Sequence, residues 1–234
     1  MKPPHPHNVW RFRHSRNKRG TLGREVPADE RFTMKFPRTP HIPGSRGTDD
    51  DIYAPYTYDG TVIATEKLDG SNIMMNNKKF ITRKGSTSNA EWTWPMRMIH
   101  QAAAKDIPDG YWLAGEFVYW RKSIAYENLP GPYVVFGAMK GNACQPWDVV
   151  CDLASAAGLP TVDVLGGPGS YTDVVAQGLN RLNGYKEGFV IRPVDGFSLP
   201  KYGDYVSKFV IDEFESVAGH DGVNGLIEGS WPPC

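Results

Sequence analysis

Residues 61–76 read TVIATEKLDGSNIMMN. Thr61 to Lys67 alternates small and apolar side chains, as a strand with one buried face does. The run then meets Asp69-Gly70, a turn pair, and Asn72 to Asn76 reads as a returning strand. The stretch is therefore a hairpin or a sharp strand–turn–strand. Either way Lys67 ends an apolar strand beside a tight turn, partly desolvated and fixed in direction. Such a lysine is a strand-end cation in solvent or an amine aimed at a ligand, and the segment alone fits both.

Downstream, Lys79–Arg83 is a third short strand. Asn89–Lys105 has helical spacing through Met96, Ile99, Ala102 and Ala103, with Pro95 confining the helix to its C-terminal part. Tyr111–Trp120 and Tyr133–Met139 are strands, the second apolar enough to be buried on both faces. Pro146 suits a first helical position, and a helix runs to Ala157, ahead of Gly158-Leu159-Pro160. Ser170 and Asp173 form a capping box for a helix over 171–182. Gly166-Gly167-Pro168-Gly169 reads as a plain turn, because it does not follow a strand in the dinucleotide-binding pattern. Gly188–Arg192 and Tyr205–Val210 are the last strands. Strands outnumber helices and occur in pairs. The fold class is α+β, with antiparallel sheets and flanking helices, not a doubly wound sheet.

Upstream, residues 35–60 are rich in turn formers but hold enough aromatics to pack as an ordered lead-in. Residues 1–32 show no period; Pro3, Pro4, Pro6, Gly20 and Gly23 break any helix, and an extended arm is expected. Charge divides near the same place. The chain has 26 basic and 26 acidic side chains, but residues 1–24 hold seven of the basic ones and no acid. The remainder is −7, so a basic arm precedes an acidic body. At 234 residues and 40% apolar composition, one domain of 33–234 with its own core is expected. No run approaches 18 apolar residues and no secretory signal core is present, so neither a membrane span nor secretion is expected. Cys144, Cys151 and Cys234 are odd in number and form no Cys-x-x-Cys. That argues against a disulfide scaffold or zinc knuckle and for a cytoplasmic protein.

The segment Glu66-Lys67-Leu68-Asp69-Gly70 resembles the Lys-x-Asp-Gly motif of ATP-dependent polynucleotide ligases and mRNA capping enzymes. Further resemblances follow in the order of that superfamily. They are Phe80–Gly85 (FITRKG), Leu113–Phe117 (LAGEF), Tyr133–Gly137 (YVVFG), Lys186–Arg192 (KEGFVIR) and Val206–Val210 (VSKFV). Each is weak alone, and together they span 61–210. Ligases for DNA and capping enzymes usually have arginine five residues after the lysine. Asn72 stands there instead, which is similar to the RNA ligase 2-like branch. Lys35–His41 (KFPRTPH) also resembles the start of small phage and bacterial members.

The resemblance implies a nucleotidyltransferase (ATP-grasp-like) ligase core, with ATP and Mg²⁺ (or Mn²⁺) as cofactors. Lys67 would be the nucleophile that forms lysyl-AMP, and Glu187 the metal-side carboxylate. Lys208 would neutralise phosphate charge. Glu66, Asp69, Gly70, Asn72, Arg83, Glu116 and Phe136 would line the nucleotide site. Glu66 would reach the adenine edge, Arg83 and Glu116 the ribose or phosphate, and Phe136 the base. Each has a plainer alternative: a strand-edge carboxylate for Glu187, a structural ion pair for Glu116, a core aromatic for Phe136. A free lysine of pKa ~10.4 is neutral in only about one molecule in 2,500 at pH 7. Desolvation and nearby cations are expected to lower that of Lys67. Relatives usually have a second lysine two residues after Lys208. Val210 stands there, with Lys201 or Arg192 as candidate substitutes.

These features imply an ATP-dependent RNA ligase acting on RNA with 5′-phosphate and 3′-hydroxyl ends. The alternatives are a minimal DNA ligase and a ligase-derived nucleotide- or RNA-binding module without sealing activity. Only 26 residues follow Lys208, so no separate C-terminal domain is expected. The arm, with Trp10, Phe12 and His14 among its cations, is a candidate for gripping nucleic acid.

Overall fold

The computed structural model describes residues 36–47, 53, 56–83, 91–182, 187–211 and 222–227. All lie within the unit Met34–Cys234. The basic arm, Lys84–Gly85 and Lys186 fall outside the described residues.

β1 (Val62–Lys67) and β2 (Ser71–Met75) do not pair; they belong to different sheets. Of the two readings of 61–76, the hairpin is wrong and the sharp strand–turn–strand holds. β1 is central in a sheet of order β10-β8-β1-β7, formed with β7 (Val164–Gly169), β8 (Gly188–Pro193) and β10 (Ser207–Val210). β2 lies in a six-stranded sheet of order β3-β2-β4-β5-β6-β9. Its other members are β3 (Phe80–Thr82), β4 (Tyr111–Phe117), β5 (Tyr133–Lys140), β6 (Ala143–Cys144) and β9 (Phe197–Ser198). Every ladder is antiparallel, as the paired short strands imply.

Helices cover the outer face of each sheet. Val174 of α3 (Tyr171–Arg181) packs with Val62, Ala64, Leu165, Phe189 and Ile191. Met96 and Ile99 of α1 (Trp94–Ala103), with Val150 and Ala154 of α2 (Trp147–Ala156), pack on Ile73, Leu113, Tyr133 and Val135. Each large aliphatic buried this way contributes ~1.5–3 kcal/mol. The capping box stands as read: Ser170 Oγ accepts the Asp173 N–H at 3.3 Å. Pro95 lies in the first turn of α1, so that helix starts where the proline allows.

The inner faces look at each other across a cleft. Alternation turns Thr65, Lys67, Gly188, Val190, Arg192 and Lys208 into it from one sheet. Asn72, Glu116 and Val134 face it from the other, in one cross-strand row. A register shift between Ala114 and Gly115 leaves Phe136 as the extra residue of a β-bulge on β5. Bulges re-aim side chains, and this one turns Phe136 away from Val135 and Ala138 in the outer core. Arg192 bridges the cleft: its Nη1 donates to the Phe136 carbonyl.

Three expectations are corrected. The glycine cluster 166–169 is not a plain turn but part of β7, the edge strand beside β1. A Cβ on Gly167, where φ is +93°, would sit 2.6 Å from the Val62 carbonyl, so glycine lets the two backbones approach. The last strand starts at Ser207, because Tyr202–Tyr205 forms a helical turn, α4. The strand expected over 111–120 ends at Phe117.

Candidate active site

Lys67 is the last residue of β1, opposite Gly188. Its Nζ lies 2.5 Å from Glu187 Oε1, with side-chain exposures of 24% and 5%. The lysine side chain thus keeps some exposure while its counter-ion is buried. Gly188 has φ +152°, and a Cβ there would sit 2.0 Å from the Phe209 carbonyl. Only glycine gives the bend that brings Glu187 to Lys67.

The turn after Lys67 is held from three sides. The Asp69 N–H donates to the Tyr126 hydroxyl at 2.8 Å, and Asp69 Oδ2 accepts the Ser123 N–H at 2.8 Å. Lys122 Nζ donates to the Gly70 carbonyl. A Cβ on Gly70 would lie 2.6 Å from the Phe117 carbonyl, so the turn runs flush against β4. Asp69 is accordingly a buried, bonded carboxylate that fixes the lysine-bearing turn.

Glu116 pairs with Asn72 across β2 and β4, and Arg83 donates its main-chain N–H to the Asn72 carbonyl at 3.1 Å. Arg83, Asn72 and Glu116 therefore stand side by side, with the Arg83 side chain exposed. Burial pushes the Glu116 carboxyl up to about 7 against the pull of Lys67 and Lys122. Burial, Asp163 and Glu187 raise Glu66 to about 7 as well. For Lys67, burial works downward, but Glu187, Glu116 and Asp69 more than offset it. The amine is held above its ordinary value, opposite to the expected depression. The reason is that carboxylates, not cations, surround it.

Glu66 lines a cavity of about 290 Å³ with Leu68, Tyr126, Val134, Val162 and Asp163. Phe136 does not line it. Phe136 borders a smaller hollow with Phe36, Trp147 and Arg192, edge-on to Phe36 at 5.6 Å and with the Arg192 guanidinium 5.6 Å from its ring centre.

Lys208 sits opposite Val190 on β10 and draws the Glu187 carboxyl down. Its main chain is fixed by the lead-in. The Lys208 N–H donates to the Pro40 carbonyl at 2.8 Å, and the Lys208 carbonyl accepts the Ile42 N–H at 3.0 Å. Val210, where a second lysine is usual, is buried opposite Gly188. Its N–H donates to Ser45 Oγ at 2.9 Å, and Ser45 Oγ lies 2.7 Å from His41 Nδ1. Lys201 is exposed and pairs with Asp204 at 3.4 Å, whereas Arg192 lies inside the cleft. Lys122, Tyr126 and Asp163 were missed by sequence reasoning. They sit in aperiodic loops, and no local pattern marks them.

Glu187 Oε2 and Asn72 Oδ1 are buried and accept no hydrogen bond among the described residues. No cluster of three or more His, Cys, Asp or Glu poised to hold a metal occurs among them. Each of these two oxygens is a hard donor of the kind suited to a cation that keeps most of its waters, as Mg²⁺ does. No helix of the described residues is long and apolar enough to cross a membrane.

Two antiparallel sheets thus face each other across a cleft that holds a strand-end lysine and its buried carboxylate partner. The RNA ligase family model matches residues 60–210, and the chain belongs to that family. No curated protein matches the sequence. Among solved structures, an archaeal ATP-dependent RNA ligase (form 2) is similar at 17% identity and TM-score 0.47, covering 66% of this chain and 43% of that one. An Aquifex aeolicus protein described as an ATP-dependent DNA ligase gives 17% and 0.43, covering 74% and 58%. A Naegleria gruberi RNA ligase mutant solved with AMP and Mn gives 15% and 0.42, covering 74% and 59%. The chain thus spans 43–59% of the length of these three ligases.

Proposed function

We propose that the protein is an ATP-dependent RNA ligase working through a covalent lysyl-AMP at Lys67. The observation that supports this most is the Lys67–Glu187 pair at the sheet junction, 2.5 Å apart with the second carboxylate oxygen unengaged. The amine is held protonated and must lose a proton before it attacks. Glu187 Oε1 is placed to take it, and burial, which raises the Glu187 pKa, makes that carboxylate the better base. The neutral amine then attacks the α-phosphorus of ATP. The N–P bond forms, the bond to the β-phosphate oxygen breaks, and pyrophosphate leaves. Lys208 lies on the same inner face as Lys67 and offers positive charge to the phosphate. The cavity beside Glu66 receives the adenine, with Glu66 at its edge, and Glu116 and Arg83 flank the ribose side. AMP passes next to an RNA 5′-phosphate, and a 3′-hydroxyl displaces it to seal the strand. Glu187 Oε2 and Asn72 Oδ1 would hold the divalent ion, which supplies Lewis acidity at the phosphate.

Incubation with Mg²⁺ and α-labelled ATP tests the reading. A labelled protein band is expected, absent in Lys67→Ala; no label with ATP or GTP overturns it. Sealing of 5′-phosphate and 3′-hydroxyl ends of RNA in preference to those of DNA is expected next, and the reverse preference makes it a DNA ligase.

A further inference from the structure

Five aromatic rings gather where β4 ends. Trp94 meets Tyr119 edge-on at 5.9 Å, Tyr119 meets Trp120 at 4.8 Å, and Trp92 and Tyr119 each lie 6.3 Å from Phe117. The Trp120 indole N–H donates to the Trp92 carbonyl at 2.6 Å, which fixes the cluster. Its outer members are left in solvent. Trp94 is 47% exposed and Met98, one turn along α1, is 38% exposed. Arg97 lies between them on the same exposed stripe, with Nη2 donating to Thr93 Oγ1 at 3.2 Å. Arg121 reaches the same end of the sheet: its Nη2 lies 3.4 Å from where a Cβ on Gly222 would be. Glu91 is the one acidic side chain on 91–103. In a body of net charge −7, this is a local concentration of cations around flat rings.

The patch is joined to the Lys67 turn. Tyr119 and Trp120 belong to the loop whose Lys122 and Ser123 hold Gly70 and Asp69. The loop that carries Tyr119 and Trp120 thus links the patch to the turn that follows Lys67. Exposed ring faces with interleaved arginines bind unstacked bases and their phosphates, and paired bases offer no free face.

We propose that Trp94, Tyr119, Arg97 and Arg121 form a docking surface for the single-stranded RNA that adjoins the end to be joined. The proposal rests on the ligase reading for its substrate, but RNA binding is measured without ATP. The probe is a 5′-phosphorylated single-stranded RNA of about 12 nucleotides, followed by fluorescence anisotropy on the full chain. Trp94→Ala is expected to weaken binding about fivefold to a hundredfold, one lost stack, with Trp94→Phe restoring most of it. Arg97→Gln is expected to reduce the salt slope by about 0.7. Equal affinity of parent and Trp94→Ala, equal losses in the Ala and Phe variants, or duplex RNA competing as well as single strands each overturns the proposal. Melting curves verify that the variants fold. Absence of lysine labelling in the parent would count against the ligase reading and leave these binding results to stand or fall separately.

Discussion

Glu187 is pinned between two demands. Its Oε1 is spent on Lys67 and its Oε2 is free, and both depend on the backbone bend at Gly188. Gly188→Ala must relieve a 2.0 Å approach to a carbonyl as well as adopt a φ unfavourable to any side chain. A loss of several kcal/mol of stability is expected, on the order of the largest single-site effects, together with loss of lysine labelling. Chemical denaturation reads the first and the ATP assay the second. Glu66 gives a pH prediction. Its folded pKa of about 7 lies above the ordinary carboxylate value of 4.5, so the folded state holds this proton more tightly than the unfolded chain does. The contribution is full below about pH 4.5 and is lost as pH rises toward 7, by up to about 3 kcal/mol. Glu66→Gln is therefore expected to be stabilised relative to the parent at pH 8 and much less so at pH 5, as melting temperatures across that range will show. The roles proposed for Lys67, Glu187 and Glu116 are those implied by the resemblance of their segments to ligase motifs. What that resemblance could not convey is sign: the lysine's neighbours are carboxylates brought in by other strands, so its pKa moves up.

At the scale of elements, the lead-in matters more than its irregular sequence suggests. Residues 40–46 lie upstream of the family match at 60–210, yet they bond to Lys208 and Val210 on the open edge of β10. Ser45 is the point of attachment with a testable side chain. Ser45→Ala removes the acceptor for a buried N–H, which costs ~1–3 kcal/mol. It is expected to slow labelling of Lys67, whereas Ser45→Thr keeps the hydroxyl and most of the rate. Equal rates in parent and Ser45→Ala would dismiss the strap as a support for Lys208. The lead-in was legible as ordered from its aromatics, but its partner was not, because turn-rich segments have no period to place them. β7 was misread for a related reason. Glycines normally end strands, and only the closeness of Val62 and α3 explains why they continue one here.

For the molecule as a whole, the antiparallel α+β class followed from short paired apolar runs and was legible. The assignment of β1 and β2 to separate sheets was not, since an Asp-Gly turn is compatible with a hairpin and with a crossing. That crossing makes the cleft, and it also dictates how the protein is made. Lys67 and Glu187 are 120 residues apart in sequence. At a synthesis rate of ~5–20 residues per second, β1 emerges roughly 6–24 seconds before its central partner β8. Until β7 emerges, a strand whose first four side chains are buried in the finished fold has an apolar surface and both edges unpaired, and its β8 edge stays open to the end of the interval. Long-range pairing of this kind also folds slowly. Refolding from denaturant is accordingly expected to show recovery of helix signal before recovery of lysine labelling, and yields that fall as protein concentration rises. A refolding yield independent of concentration would show that β1 is shielded early. The strand that carries Lys67 is thus a liability of the newborn chain, and expression at low temperature or with a holdase chaperone should raise the recovered active fraction.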